Sequence, residues 1–118
     1  LEKLFREINM TKKISYQAYL INSLKNPEEA VGYLNAALEG GDIQVFLMAL
    51  HNVVQAQGGI AKLSKSTHKS RTSLYKALSK KGNPYLESTN EILGAIGLHF
   101  KIAARSDNRR KRQISKAA

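Results

Sequence analysis

Apolar residues in this chain recur at helical spacing in several separate blocks, with polar or glycine-containing breaks between them. From Asn26 the punctuation is clear. Asn26-Pro27-Glu28-Glu29 supplies an N-cap, a proline at the first helical position and acids in the first turn. Val31, Leu34 and Leu38 form the stripe expected to be buried, and Gly40-Gly41 ends that helix. Asp42 caps the next helix, whose Phe46, Leu47, Leu50, Val53 and Val54 make a broad apolar face. A face that wide implies burial against several neighbours, so this is the expected central core helix.

Gly58-Gly59 stops the core helix and opens two short helices joined by a tight polar turn. Ile60, Ala61 and Leu63 give the first an apolar side; Leu74, Ala77 and Leu78 give the second its stripe. Ser70 is the expected N-cap of the second, its hydroxyl accepting from a backbone N–H one turn on. Gly82-Asn83-Pro84 is a turn, and Ser88-Thr89-Asn90-Glu91 reads as a capping box for a further helix. Ile92, Leu93 and Ile96 face inward there, and Gly97 closes it. Leu98 to Ala103 alternates with period two and is expected to form a short strand, pairing across a dimer or with the N-terminal arm.

The pattern is ambiguous at the front. Tyr16, Leu20 and Leu24 are spaced for a helix, whereas Ile14, Tyr16, Ala18 and Leu20 alternate like a strand. Tyr16 and Tyr19 then serve either a partner interface or the domain's own core. The division that follows is an N-terminal arm at 1–25, a helix-turn-helix domain at 26–105 and a basic tail at 106–118, expected to be disordered. The fold class is all-α: about five helices of the lambda-repressor type, with room for one short C-terminal strand.

Charge changes the picture. The 118 residues carry a net charge of +10, unevenly spread. Residues 1–57 hold five Lys/Arg against six Asp/Glu, and residues 58–118 hold fourteen against three. Gly58 to Lys81 alone has seven basic residues and no acid. A basic back half implies a polyanion, and nucleic acid fits best without a long basic amphipathic helix to suit a membrane surface. The front half is left to meet another partner. No apolar run approaches bilayer length, and no cysteine is present, so disulfide and thiolate chemistry are excluded. A cytoplasmic location is the default expectation.

Helix-turn-helix proteins place the N-terminal end of the second helix in the major groove, where Arg bonds guanine and Ser or Thr bonds several bases. Arg71, Thr72 and Ser73 at that end are therefore expected to contact DNA, and Ser70, Lys76, Lys62, Lys69 and Lys80 complete the expected DNA-binding set. No catalytic constellation is visible. His51, His68 and His99 lack ligand spacing, the acids sit at helix ends, and the paired glycines precede no phosphate loop. The chain is read as a non-enzyme without cofactor or metal.

The segments Tyr33-Leu34-Asn35-Ala36-Ala37-Leu38-Glu39-Gly40-Gly41-Asp42, Phe46-Leu47-Met48-Ala49-Leu50, Ser73-Leu74-Tyr75-Lys76-Ala77-Leu78-Ser79 and Gly82-Asn83-Pro84 resemble the HigA-like addiction-module antidotes with an Xre-type helix-turn-helix. The resemblance runs from about Ala18 to Ile102. It implies an antitoxin that binds a RelE/HigB-like ribonuclease toxin and, usually as a homodimer, represses its own operon from double-stranded operator DNA. Three positions depart from that pattern: Ser64 where Ala is preferred, His68 where the turn usually has Gly, and Lys69 in place of an apolar anchor. The alternatives are a solitary phage-type regulator without a toxin, a protein-interaction module with only nonspecific DNA binding, and, with least support, a small RNA-binding protein.

Overall fold

The computed structural model describes residues 1–79 and 81–105, with backbone only at residues 8–14. Among the described residues there are six helices and no strand. In order they are α1 (Glu2–Ser23), α2 (Pro27–Glu39), α3 (Ile43–Ala56), α4 (Gly59–Thr67), α5 (Arg71–Ala77) and α6 (Leu86–Ala95). This is an all-α helix-turn-helix domain.

The core forms around α3. Phe46, Leu47, Ala49, Leu50, Val53 and Val54 are all buried, as the width of its apolar face requires. Three helices, α1, α2 and α4, pack directly on it, and α4 in turn carries α5 and α6. Leu74 and Leu78 enter the core from α5 and its C-cap, and Ile92 and Leu93 enter from α6. The expected caps form on α2 and α3. Asn26 accepts from the Glu28 N–H at 3.0 Å, and Asp42 accepts from the Gln44 N–H at 2.9 Å.

The front ambiguity resolves as helix. The C-terminal turns of α1 dock on α3, with Leu24 buried and Leu20 half-buried against the core. Gln17 Nε2 donates to Asn52 Oδ1 at 3.1 Å, and Asn52 Nδ2 donates to the Tyr33 hydroxyl at 3.0 Å. That relay ties α1, α3 and α2 together. Gln57 Nε2 also donates to the Leu24 carbonyl at 3.0 Å, satisfying an orphan acceptor at the end of α1. Tyr16 and Tyr19 face solvent instead, 68% and 73% exposed.

Four expectations are corrected. On α2 the buried residues are Ala30 and Leu34; Val31 and Leu38 remain 42% and 41% exposed, because α3 covers one side of α2 and leaves that flank open. On α4, Ala61 is exposed beside buried Ile60 and Leu63. The capping box at Ser88–Glu91 does not form. Helix α6 begins at Leu86, so Thr89 lies inside it, its N–H already bonded to the Tyr85 carbonyl and its hydroxyl donating to the same oxygen at 3.1 Å. Finally, Leu98–Ala103 is not a strand, since no second strand lies beside it among the described residues. Gly97, at φ 83°, reverses the chain after α6, and Phe100 packs its ring against Phe46 at 6.2 Å. The expected disordered tail, residues 106–118, lies outside the described residues.

Candidate nucleic-acid interface

Helices α4 and α5 meet at a turn, Thr67–Ser70, that is held by its own short side chains. Thr67 Oγ1 donates to the Leu63 carbonyl at 2.8 Å, and Ser64 Oγ donates to the Lys69 carbonyl at 2.6 Å. Ser64 thus supplies a bond that an alanine at this position could not. His68 sits in the left-handed region at φ 59°, ψ 23°, where a non-glycine side chain costs roughly 1 kcal/mol. The Lys69 stem is half-buried, and its ammonium lies 3.3 Å from Glu91 Oε2 on α6. An ion pair therefore links the turn to α6.

Ser70 caps α5 as expected: its Oγ accepts from the Ser73 N–H at 3.1 Å, with extended backbone at φ −66°, ψ 150°. The cap fixes where α5 begins. With Leu74 and Leu78 turned into the core, Arg71, Thr72, Ser73 and Lys76 are all exposed. These four and Ser70 lie together on one seven-residue helix and its cap. Lys62 is exposed on α4, on a separate element, and Lys65 is exposed one turn further on. Lys69 is distinguished by its carboxylate partner, and Lys80 lies outside the described residues.

Two features around α5 were not visible in the spacing. Tyr75 is exposed and meets His51 of α3 edge-on, with ring centroids 6.3 Å apart, so the core helix orients an aromatic beside the polar face. His51 is half-buried, with its Nε2 3.2 Å from Gln55 Nε2, a structural setting rather than a ligand's. Gly82 is buried against the end of α5, where a Cβ would collide with the Ala77 and Lys76 carbonyl oxygens. The turn after α5 needs glycine for close approach, not for a positive φ. Among the described residues no group of three or more His, Cys, Asp or Glu is placed to hold a metal. No described helix is long and apolar enough to cross a membrane.

A family model described as probable addiction module antidote protein matches residues 13–104, from within α1 to the end of the segment after α6. The chain belongs to this antidote family. An antidote counters the toxin of its module, so membership gives the chain a toxin partner in general terms. The antidote is also 33% identical over 79 residues to an uncharacterized protein of Haemophilus influenzae, a match covering 67% of this chain and 80% of that protein. No solved structure matches it.

Proposed function

We propose that this antidote neutralises a RelE/HigB-like ribonuclease toxin and, as a cytoplasmic homodimer, represses its own operon by reading operator DNA through α5. It is then a HigA-like antitoxin with an Xre-type helix-turn-helix and no catalytic role. The observation that carries the DNA reading is the exposed set Arg71, Thr72, Ser73 and Lys76 on a helix capped by Ser70 and anchored by Leu74 and Leu78. Arg71 is the side chain suited to bidentate guanine recognition, while Thr72 and Ser73 are short enough to bond base edges from close by. Lys62 and Lys76 add phosphate neutralisation, and each such contact steepens the salt dependence of binding. Two copies would place their reading helices roughly 34 Å apart, one duplex turn.

The toxin contact belongs to the front half. Its near-neutral charge avoids competition with DNA for the basic face, and the outward Tyr16 and Tyr19 of α1 are the residue type that anchors interfaces. The deciding experiment is a gel shift against the protein's own upstream DNA, with excess random competitor at moderate salt. A discrete, competitor-resistant complex is expected. A smear removed by competitor would reduce the basic half to a nonspecific polyelectrolyte and leave toxin binding as the function.

A further inference from the structure

A groove of about 580 Å³ runs between the open flank of α2 and the segment that follows α6. Val31 and Leu38 form one wall, Leu98 and Phe100 the other, and Leu34, Phe46 and Leu93 the floor. The segment wall keeps the pattern of a strand. Leu98 and Phe100 are half-buried, while His99 and Lys101 alternate with them in solvent. Ile102 continues the apolar series but is 99% exposed. Among the described residues, the Leu98 N–H bonds the Leu93 carbonyl at 2.8 Å, and the backbone of 99–103 makes no hydrogen bond. One small surface therefore combines an unpaired edge, an uncovered isoleucine and an apolar trough. An extended strand laid in the trough would satisfy all three.

We infer that the strand is the same segment of a second copy, paired antiparallel about a two-fold axis. The proposal rests on the reading of this chain as a dimeric operator-binding protein and names the surface that makes the dimer. Self-pairing is favoured because groove and protruding residue lie on the same patch, the requirement of an isologous interface. The charges agree, with Glu39 on the groove lining and Lys101 and Arg105 on the segment that enters. The period-two pattern fixes the register, since opposed residues must share a face. An axis through Lys101 would set like charges opposite one another, which is unfavourable. An axis at Phe100 puts Ile102 against the partner's Leu98 and His99 across from the partner's Lys101. Strand pairing alone falls short of the roughly 800 Å² per partner of a stable interface, so the exposed flank at Val31 and Leu38 must supply part of the contact.

The test uses the full chain. Sedimentation equilibrium of the unmodified protein should show a monomer–dimer equilibrium. Ile102→Lys should raise the dimer dissociation constant about tenfold or more, with an unchanged circular dichroism spectrum, since this side chain is exposed in the single copy. Because the chain has no cysteine, the double variant His99→Cys/Lys101→Cys offers a clean second readout. Under mild oxidation it should form a covalent dimer, whereas Lys101→Cys alone should not. A monomeric unmodified protein would overturn the inference, as would an Ile102→Lys dimer of unchanged affinity. In the latter case a retained gel shift would leave the repressor reading standing with its dimer contact elsewhere. If Ile102→Lys left the dimer intact but lost binding to a purified RelE-like toxin, the groove would belong to the toxin, and the inference would equally fail.

Discussion

Helices α3 and α5 make opposite use of apolar residues. α3 buries six side chains on a broad face and packs against α1, α2 and α4, so it holds the domain together. α5 buries Leu74 alone within its seven residues, with Leu78 following at its C-cap, and leaves its remaining side chains half-buried or exposed. Two leucines suffice to aim it because Ser70 sets its start and buried Gly82 lets the chain turn tightly against its end. The difference teaches that a short helix in a small domain needs little burial of its own. It is positioned by its neighbours, so its exposed residues are free of structural duty.

The contrast is broken most severely at Leu50, which is fully buried on α3. Leu50→Ala should cost about 2–5 kcal/mol in urea-induced unfolding, through lost apolar transfer and the cavity left behind. DNA binding would then vanish only because the fold does. Arg71→Ala should do the reverse. It should leave the unfolding midpoint in place and cost roughly 1–3 kcal/mol of operator affinity, with little change on random DNA. Equal losses on both DNAs would make Arg71 a phosphate contact.

Ser70 belongs to both sides of the comparison. Ser70→Ala should lower unfolding stability by about 1 kcal/mol through loss of the cap, and weaken operator binding because α5 frays at its start. Ser70→Asp should restore the stability without restoring the binding, since an anion would then face phosphate. The smallest effect is expected at the Lys69–Glu91 pair, which is partly exposed on both sides. Glu91→Gln should change stability by less than about 0.5 kcal/mol. A larger loss would show that the pair, rather than the Ser64 bond, holds the turn between α4 and α5.

Much of the fold was legible because its signals are local. The Asn26 and Asp42 caps, the Gly40-Gly41 and Gly58-Gly59 stops, the Ser70 cap and the width of the α3 face all depend on residues within one or two turns. The local pattern is ambiguous where one stretch admits two readings. Thr89 has the chemistry of a cap and also of an interior residue returning its hydroxyl to the carbonyl four residues back; only Ile92 and Leu93 finding the core placed the start of α6 earlier. Leu98–Ala103 has a strand's alternation but no neighbour to pair with in a single copy. The candidate site divides in the same way. The exposure of Arg71, Thr72, Ser73 and Lys76 follows from the spacing of Leu74 and Leu78, whereas the ion pair of Lys69 and the ring contact of Tyr75 follow from no spacing.

The sequence by itself determined the number and order of the helices from α2 onward, the core helix, the exposed polar face of α5 and the charge division between the two halves. These follow from capping, periodicity and composition, which act over a few residues or over the whole chain. The tertiary structure alone decided which flank of α2 stays open, how Lys69 reaches Glu91, why position 82 must be glycine, and that α1 is a helix docked by its last turns. Each depends on what lies opposite a residue in space, and no spacing along a single chain encodes its distance to another helix.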